Sequence, residues 1–179
     1  MILRGEKVTL RPIAASDLPR FVRWLKNDAV RKGISGNPKG PTVQQEKTWF
    51  RGLPKKKKDE KHFAIDTQND LHIGSASLRL NTTHKRAEIG ILIGDTRAWG
   101  RGYGKEVMSL LMRYGFEKLK LHRIDLGVYA YNTRAIALYK KLGFKPEGAR
   151  RDFVFWKGKF YDEILMSMLE KEWKNCQSR

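Results

Sequence analysis

The stretch that most constrains the fold runs from residue 87 to 107. It reads AEIGILIGD, then TRAWGRGYG, then KEV at the head of a helical pattern. After Glu88 the first segment is apolar at nearly every position, so both faces of the strand are predicted to be covered and the strand to be central. A helix must follow directly, because Val107, Leu110, Leu111 and Tyr114 recur at helical spacing up to about Lys120. Between them stand Gly100, Gly102 and Gly104. Glycine adds nothing to a core and costs chain entropy on folding, so three at alternate positions need a backbone reason.

Four backbone reasons compete. A dinucleotide fingerprint G-x-G-x-x-G fits Gly100 and Gly102, but residue 105 is Lys, and Asp125 lies inside a strand. A Walker A loop fails, with Trp99 where glycine is required and Glu106 where Ser or Thr would hold magnesium. What remains is either a nest of main-chain amides that binds an anion at the helix N-terminus, or a tight turn with no ligand. The glycines alone leave both open.

The rest of the chain reads as one domain, residues 1–179. Lys7–Arg11 alternates as a strand up to Pro12. Ser16 is a predicted helix cap ahead of Leu18, Phe21, Val22 and Leu25. Gly33–Pro41 reads as loop, and Thr42 with Gln45 forms a capping-box pattern before Val43, Trp49 and Phe50. Strands are predicted at 62–67 and 71–80, joined through Gln68-Asn69-Asp70, and again at 123–129. Asn132 caps a helix whose apolar face is Ala135, Leu138, Tyr139 and Leu142, and which ends at Gly143. Phe144 begins the next strand. Arg150–Trp156 and Phe160–Leu169 flank a Lys157-Gly158 turn. The order β-α-α-β-β-β-α-β-α-β-β implies an α/β (α+β) fold with a central mixed, largely antiparallel sheet flanked by helices.

Charge and composition narrow the function classes. With 37 Lys and Arg against 19 Asp and Glu, the net charge is +18, which favours anionic partners: nucleic acid, phosphorylated cofactors or a ribosomal surface. It equally suits a solvated basic surface. The run PKKKKDEK at 54–61 mixes both signs and reads as an exposed loop. A single Cys176 and no run of 18 apolar residues predict a cytoplasmic protein with no membrane span. Four histidines without metal-like spacing predict no metal, and the absence of G-x-S-x-G argues against a covalent acyl-enzyme.

The segment Arg97-Ala98-Trp99-Gly100-Arg101-Gly102 after AEIGILIGD resembles the pyrophosphate loop of the GNAT superfamily of N-acetyltransferases. YNTRAIALYKKLGF at 131–144 is similar to that family's N-x-x-A-x-x-L-Y-x-x-x-G-F segment. The opening LRGEKVTLRPIAASDLPRFVRWLKND and the closing GKFYDEILMSMLEKEW resemble its ribosomal-protein N-acetyltransferase branch.

The resemblance implies acetyl-coenzyme A as co-substrate and direct acetyl transfer to a primary amine. That amine belongs to a protein N-terminus, a ribosomal protein, or a small molecule such as a polyamine, amino sugar or antibiotic. It implies main-chain contacts from Ile91 and Ile93 to the pantetheine, with Arg97, Gly100, Arg101, Gly102, Tyr103 and Gly104 around the diphosphate. It places Asn132 beside the cofactor and Tyr139 as proton donor to the leaving thiolate, though spacing alone makes Tyr139 core and Asn132 a cap. An amine must lose a proton before it attacks, and Glu88 is the candidate base; otherwise it is an exposed charge at a strand end. A homodimer partner is a further candidate. The competing class is a non-catalytic module binding nucleic acid or ribosome on the same fold. Its basic residues, however, are spread along the chain without the aromatic interleaving of RNA-binding surfaces.

Overall fold

A computed structural model describes residues 1–33, 40–53 and 59–177. An eight-stranded sheet organises the chain, in the order β1-β2-β3-β4-β5-β6-β8-β7. Its strands are β1 (Leu3–Arg4), β2 (Val8–Pro12), β3 (Glu60–Thr67), β4 (His72–Asn81), β5 (Arg86–Ile93), β6 (Arg123–Tyr129), β7 (Lys145–Trp156) and β8 (Lys159–Leu169). The helices are α1 (Leu18–Lys26), α2 (Asp28–Arg31), α3 (Val43–Gly52), α4 (Tyr103–Arg113), α5 (Thr133–Lys141) and α6 (Glu170–Gln177). Every neighbouring pair is antiparallel except β5 with β6. The mixed, largely antiparallel sheet flanked by helices is thus the one expected.

Each face of the sheet carries its own helices. Odd residues of β5, such as Ile89, join the main core with Val107, Met108 and Leu111 of α4. Leu92, one step out of phase, packs instead with Leu18, Phe21, Trp24 and Trp49 of α1 and α3. Side chains alternate across a strand, so α4 lies under one face and α1 with α3 over the other.

Two features set up the site. β5 follows β4 from Gly74↔Ile93 to Asn81↔Arg86. Towards β6 it is paired only at Arg86↔Arg123, Ala87↔Ile124 and Glu88↔Asp125. β6 meanwhile continues against β8 as far as Tyr129↔Glu163. β5 and β6 therefore diverge after Glu88, and the C-terminal half of β5 has no strand neighbour on that side. The second feature is α4, which starts immediately beyond this diverging end.

The sequence expectations differ from the structure at several points. Ser16 is not the cap of α1. A 3-10 turn, Ala15–Asp17, precedes the helix, and the Asp17 carboxylate accepts from the Ala14 amide at 2.8 Å while Arg11 holds it at 2.7 Å. The buried Asp17 carboxylate, held by the partly exposed Arg11, fixes the chain where a serine cap was expected. Residues 60–61 of the predicted loop belong to β3, while 54–58 lie outside the described residues, as do 34–39 of Gly33–Pro41. Helix α4 ends at Arg113 and passes into a π turn, Tyr114–Lys118. β1, α2 and α6 were not foreseen. The Thr42–Gln45 capping box, the Asn132 cap and the Gly143 terminus form as expected.

Candidate active site

The glycine loop ends in a helix N-terminus with its donors exposed. Gly100 and Gly102 have φ of +83° and +85°, a region costly for any residue with a Cβ. Gly102 is the residue before the first turn of α4, and the Glu106 amide donates to its carbonyl at 3.2 Å. The six amides from Gly100 to Lys105 have no hydrogen-bond partner among the described residues. Two left-handed residues bend the chain so that successive N–H groups converge, and the helix adds its positive end. Gly104 is different: it carries no positive φ, and a Cβ there would meet only Leu138 Cδ2, at 3.6 Å.

Cations surround the loop, though not all of those anticipated. Arg97 is turned back on Asp95, with its Nη2 at 2.7 Å, its Nε at 3.0 Å and its amide at 3.0 Å from that carboxylate. Its amide is thereby removed from the free row. Arg101 is exposed and, with Tyr103, lines a cavity of about 340 Å³ shared with Lys7 and Gln68. Sequence reasoning missed Lys7 and Arg134. A Cβ at Gly102 would lie 3.6 Å from Lys7 Nζ, and one at Gly100 3.6 Å from Arg134 Nη2. The Arg134 guanidinium lies over the Trp99 ring, 5.8 Å from its centroid.

The diverging half of β5 offers a row of main-chain groups. The Gly94 amide donates to Ile73 on the β4 side. Backbone polarity alternates along a strand, so Leu92 and Gly90 also face β4, whereas Ile91 and Ile93 face the gap towards β6. The Ile93 carbonyl accepts from Trp99 Nε1 at 2.8 Å. Ile91 and Ile93 are therefore placed where an extended ligand would add to the sheet edge, with one acceptor already taken by Trp99.

Tyr139 sits on α5 with its ring against Phe144, 6.0 Å between centroids. It is 8% exposed, and its hydroxyl has no hydrogen-bond partner among the described residues. Burial pushes its phenol up to about 12, so it stays protonated through the neutral range. Asn132 caps α5 through its Oδ1, which accepts from Ala135 at 3.3 Å. Glu88 stands on the α1 and α3 face, with Arg79 Nη1 3.1 Å from its carboxylate.

On that same face a cavity of about 430 Å³ opens onto β5 at Gly90, Ile91 and Leu92. Phe21 and Trp49 wall it, and His62, Ser75 and Ser77 form its floor. The His62 Nε2 lies 2.8 Å from Glu60 Oε2. Among the described residues no group of three or more His, Cys, Asp or Glu is arranged to hold a metal ion, and no helix is long and apolar enough to cross a membrane.

Residues 7–145 match the model of the acetyltransferase (GNAT) domain. The chain belongs to the GNAT acetyltransferase family. This GNAT chain is 30% identical over 173 residues to spermidine N(1)-acetyltransferase of Vibrio cholerae, covering 96% of itself and 98% of that protein. It is 29% identical over 174 residues to the uncharacterized N-acetyltransferase p20 of Bacillus licheniformis, at 96% and 97% coverage. Its fold is that of the crystal structure of spermidine N-acetyltransferase from Vibrio cholerae in complex with CoA and spermine. There the TM-score is 0.86 and the identity 24%, over 96% of this chain and all of the other. The GNAT resemblance read from the sequence therefore holds, and the protein is an N-acetyltransferase-type acyltransferase.

Proposed function

We propose that this GNAT enzyme transfers acetyl directly from acetyl-coenzyme A to a primary amine of a small molecule. One observation carries the reading: six amides without a partner among the described residues run through two left-handed glycines into the N-terminus of α4, beside a strand edge left open by the divergence of β5 and β6. The cradle fits a diphosphate, because it combines converging donors, a helix terminus and the nearby cations Lys7, Arg101 and Arg134. The open edge fits an extended amide-bearing arm, taken up as an added strand along Ile91 and Ile93.

Acetyl-coenzyme A supplies a thioester carbonyl as acceptor for the amine. The amides of Gly100–Lys105 hold the diphosphate, and Asn132 lies at the adjoining start of α5. Glu88 takes the proton that the ammonium must lose, directly or through water, leaving a lone pair on nitrogen. The C–N bond then forms and the C–S bond breaks. A main-chain amide on the open half of β5, near Ile93, steadies the carbonyl oxygen as it gains charge. Tyr139, held protonated by burial, gives its proton to the departing sulfur and regains one as the acylated nitrogen sheds its second proton through water, leaving the neutral amide and the free thiol.

A small amine is favoured over a protein terminus because the cavity meeting β5 is roofed by α1 and α3. The relatives named for spermidine support the same choice. The test is thiol release from acetyl-coenzyme A over a panel of amines and peptides, with a melting-temperature shift on adding the co-substrate. A shift with amine-dependent thiol release is expected. No shift, with steeply salt-dependent DNA or RNA binding, would move the protein to the nucleic-acid class.

A further inference from the structure

The cavity under α1 and α3 contains a carboxylate for which the acyl-transfer steps have no use. Glu46 lies one turn into α3, and Trp49 follows it at i+3, so both face the cavity from the same side of the helix. The capping box at Thr42 and Gln45 pins this turn, with bonds of 2.7 and 3.2 Å. Glu46 is half-buried, yet its carboxylate has no ion pair or hydrogen bond among the described residues.

The charged side chains further along the same face of β3, β4 and β5 are engaged with one another. Arg79 stands opposite Glu60 and Glu88 in register on adjacent strands, 3.9 Å from the first and 3.1 Å from the second. Glu60 is also bonded to His62. In a chain of net charge +18, a half-buried carboxylate with no cation paired to it among the described residues is unusual. Burial pushes the Glu46 carboxyl up from its ordinary range, the direction expected for an acid awaiting a counter-charge.

The surroundings specify that charge. Aromatic faces at Phe21 and Trp49 beside a carboxylate suit an alkylammonium: the rings attract the cation and pack its methylenes, and the carboxylate accepts its N–H groups. Ser75 and Ser77 add acceptors on the floor. Gly90 keeps the far end open, since a Cβ there would lie 2.7 Å from Ser77 Oγ. From β3 to β5 the floor spans two strand spacings, about 10 Å, which admits a short aliphatic chain with a polar group at each end.

We propose that the acceptor is a compact diamine, its reacting amine at the open half of β5 and its second ammonium bound by Glu46 and Trp49. This rests on the acyl-transfer reading. A monoamine would leave Glu46 unpaired, and a longer polyamine would bring more charges than this single carboxylate answers.

The test is steady-state thiol release with 1,4-diaminobutane, n-butylamine and spermidine, for the wild type and Glu46→Gln, with calorimetric titration of 1,4-diaminobutane into the CoA-loaded protein. The wild type is expected to favour the diamine over butylamine by about tenfold or more in kcat/KM, as loss of a charge-assisted bond implies. Glu46→Gln should raise KM for the diamine with little change in kcat and bring the two amines within about twofold. Glu46→Asp should restore part of the preference. Equal use of diamine and butylamine by the wild type, an unchanged KM in Glu46→Gln, or a tenfold preference for spermidine would each overturn the proposal and leave the acyl-transfer reading standing. Thiol release with none of the three amines would also overturn it. If acetyl-coenzyme A then failed to shift the melting temperature, the acyl-transfer reading would fall as well.

Discussion

Gly102 and Gly104 are two residues apart in one motif, and the structure predicts opposite consequences for alanine at each. At Gly102 the φ of +85° is the whole difficulty, because a Cβ would meet nothing closer than Lys7 Nζ at 3.6 Å. Forcing an L-residue into that region costs about 1–2 kcal/mol. For a domain of this size that lowers the melting temperature by about 2–8 °C. The strain can instead be relieved by rotating the backbone, which swings the adjoining amides out of the free row. Losing one amide–phosphate bond is then worth about 1.5–3 kcal/mol, roughly 10- to 150-fold in the Kd for coenzyme A. Gly104→Ala places a methyl in ordinary contact with Leu138 Cδ2 and improves the first turn of α4, by about 0.5 kcal/mol. Its melting temperature should rise by about 1–2 °C, with coenzyme A affinity within about threefold. Calorimetric titration of coenzyme A with parallel thermal melts reads both quantities. Equal loss of affinity in the two variants would show that the glycines serve close approach of the ligand and not the left-handed bend. A wild-type Kd in Gly102→Ala would remove the amide row as the anion site.

Tyr139→Phe should lower kcat about 100-fold at neutral pH while leaving coenzyme A affinity unchanged; full turnover would end its role as acid. The same variant tests the buried phenol. A phenol at 10 in the unfolded chain and about 12 in the native one contributes stability below pH 10 that is lost as pH rises towards 12, so thermal melts from pH 10 to 12 should fall more steeply for the wild type than for the variant. Arg134→Ala should weaken coenzyme A binding about two- to fivefold at low ionic strength and less in high salt, measured by titration at two salt concentrations. At Asp17, burial raises the carboxyl, but the bonds from Arg11 and the Ala14 amide outweigh it and hold it below its ordinary 3.8. The stability it adds is present above about pH 4 and lost as pH falls, so Asp17→Asn should cost about 1–3 kcal/mol at pH 7 and flatten the acid limb of a urea-stability profile.

The elements that carry the site were readable where the determinant is local. Gly100 and Gly102 announce a left-handed bend, Asn132 caps α5, and the periodicity of Val107, Leu110 and Leu111 marks the buried side of α4. What stayed hidden depends on partners distant in sequence. The divergence of β5 from β6 is decided by where pairing stops, at Glu88↔Asp125, and no residue in either strand states it. Arg134 carries no signal of its own in the sequence; the fold brings it over Trp99. Arg97 looked like a phosphate ligand until Asp95, two residues earlier, proved to hold it. Glu46 carries no signal in the sequence, because its lack of a paired cation among the described residues is visible only in three dimensions. Helix α6 escaped because half of its residues are charged and, among the described residues, Trp173 alone is buried, stacked on Phe116.

The three-residue contact between β5 and β6 has a mechanical consequence. It makes the sheet two blocks, β1–β5 and β6–β8, stitched by a short parallel seam and by the helix beneath. A molecule that fills the open length with its own amides acts as the missing strand and fastens the blocks together. Amide exchange along Ile91–Ile93 and Leu126–Tyr129 should therefore slow together when coenzyme A binds, so that the ligand is felt as rigidity well beyond the atoms it touches.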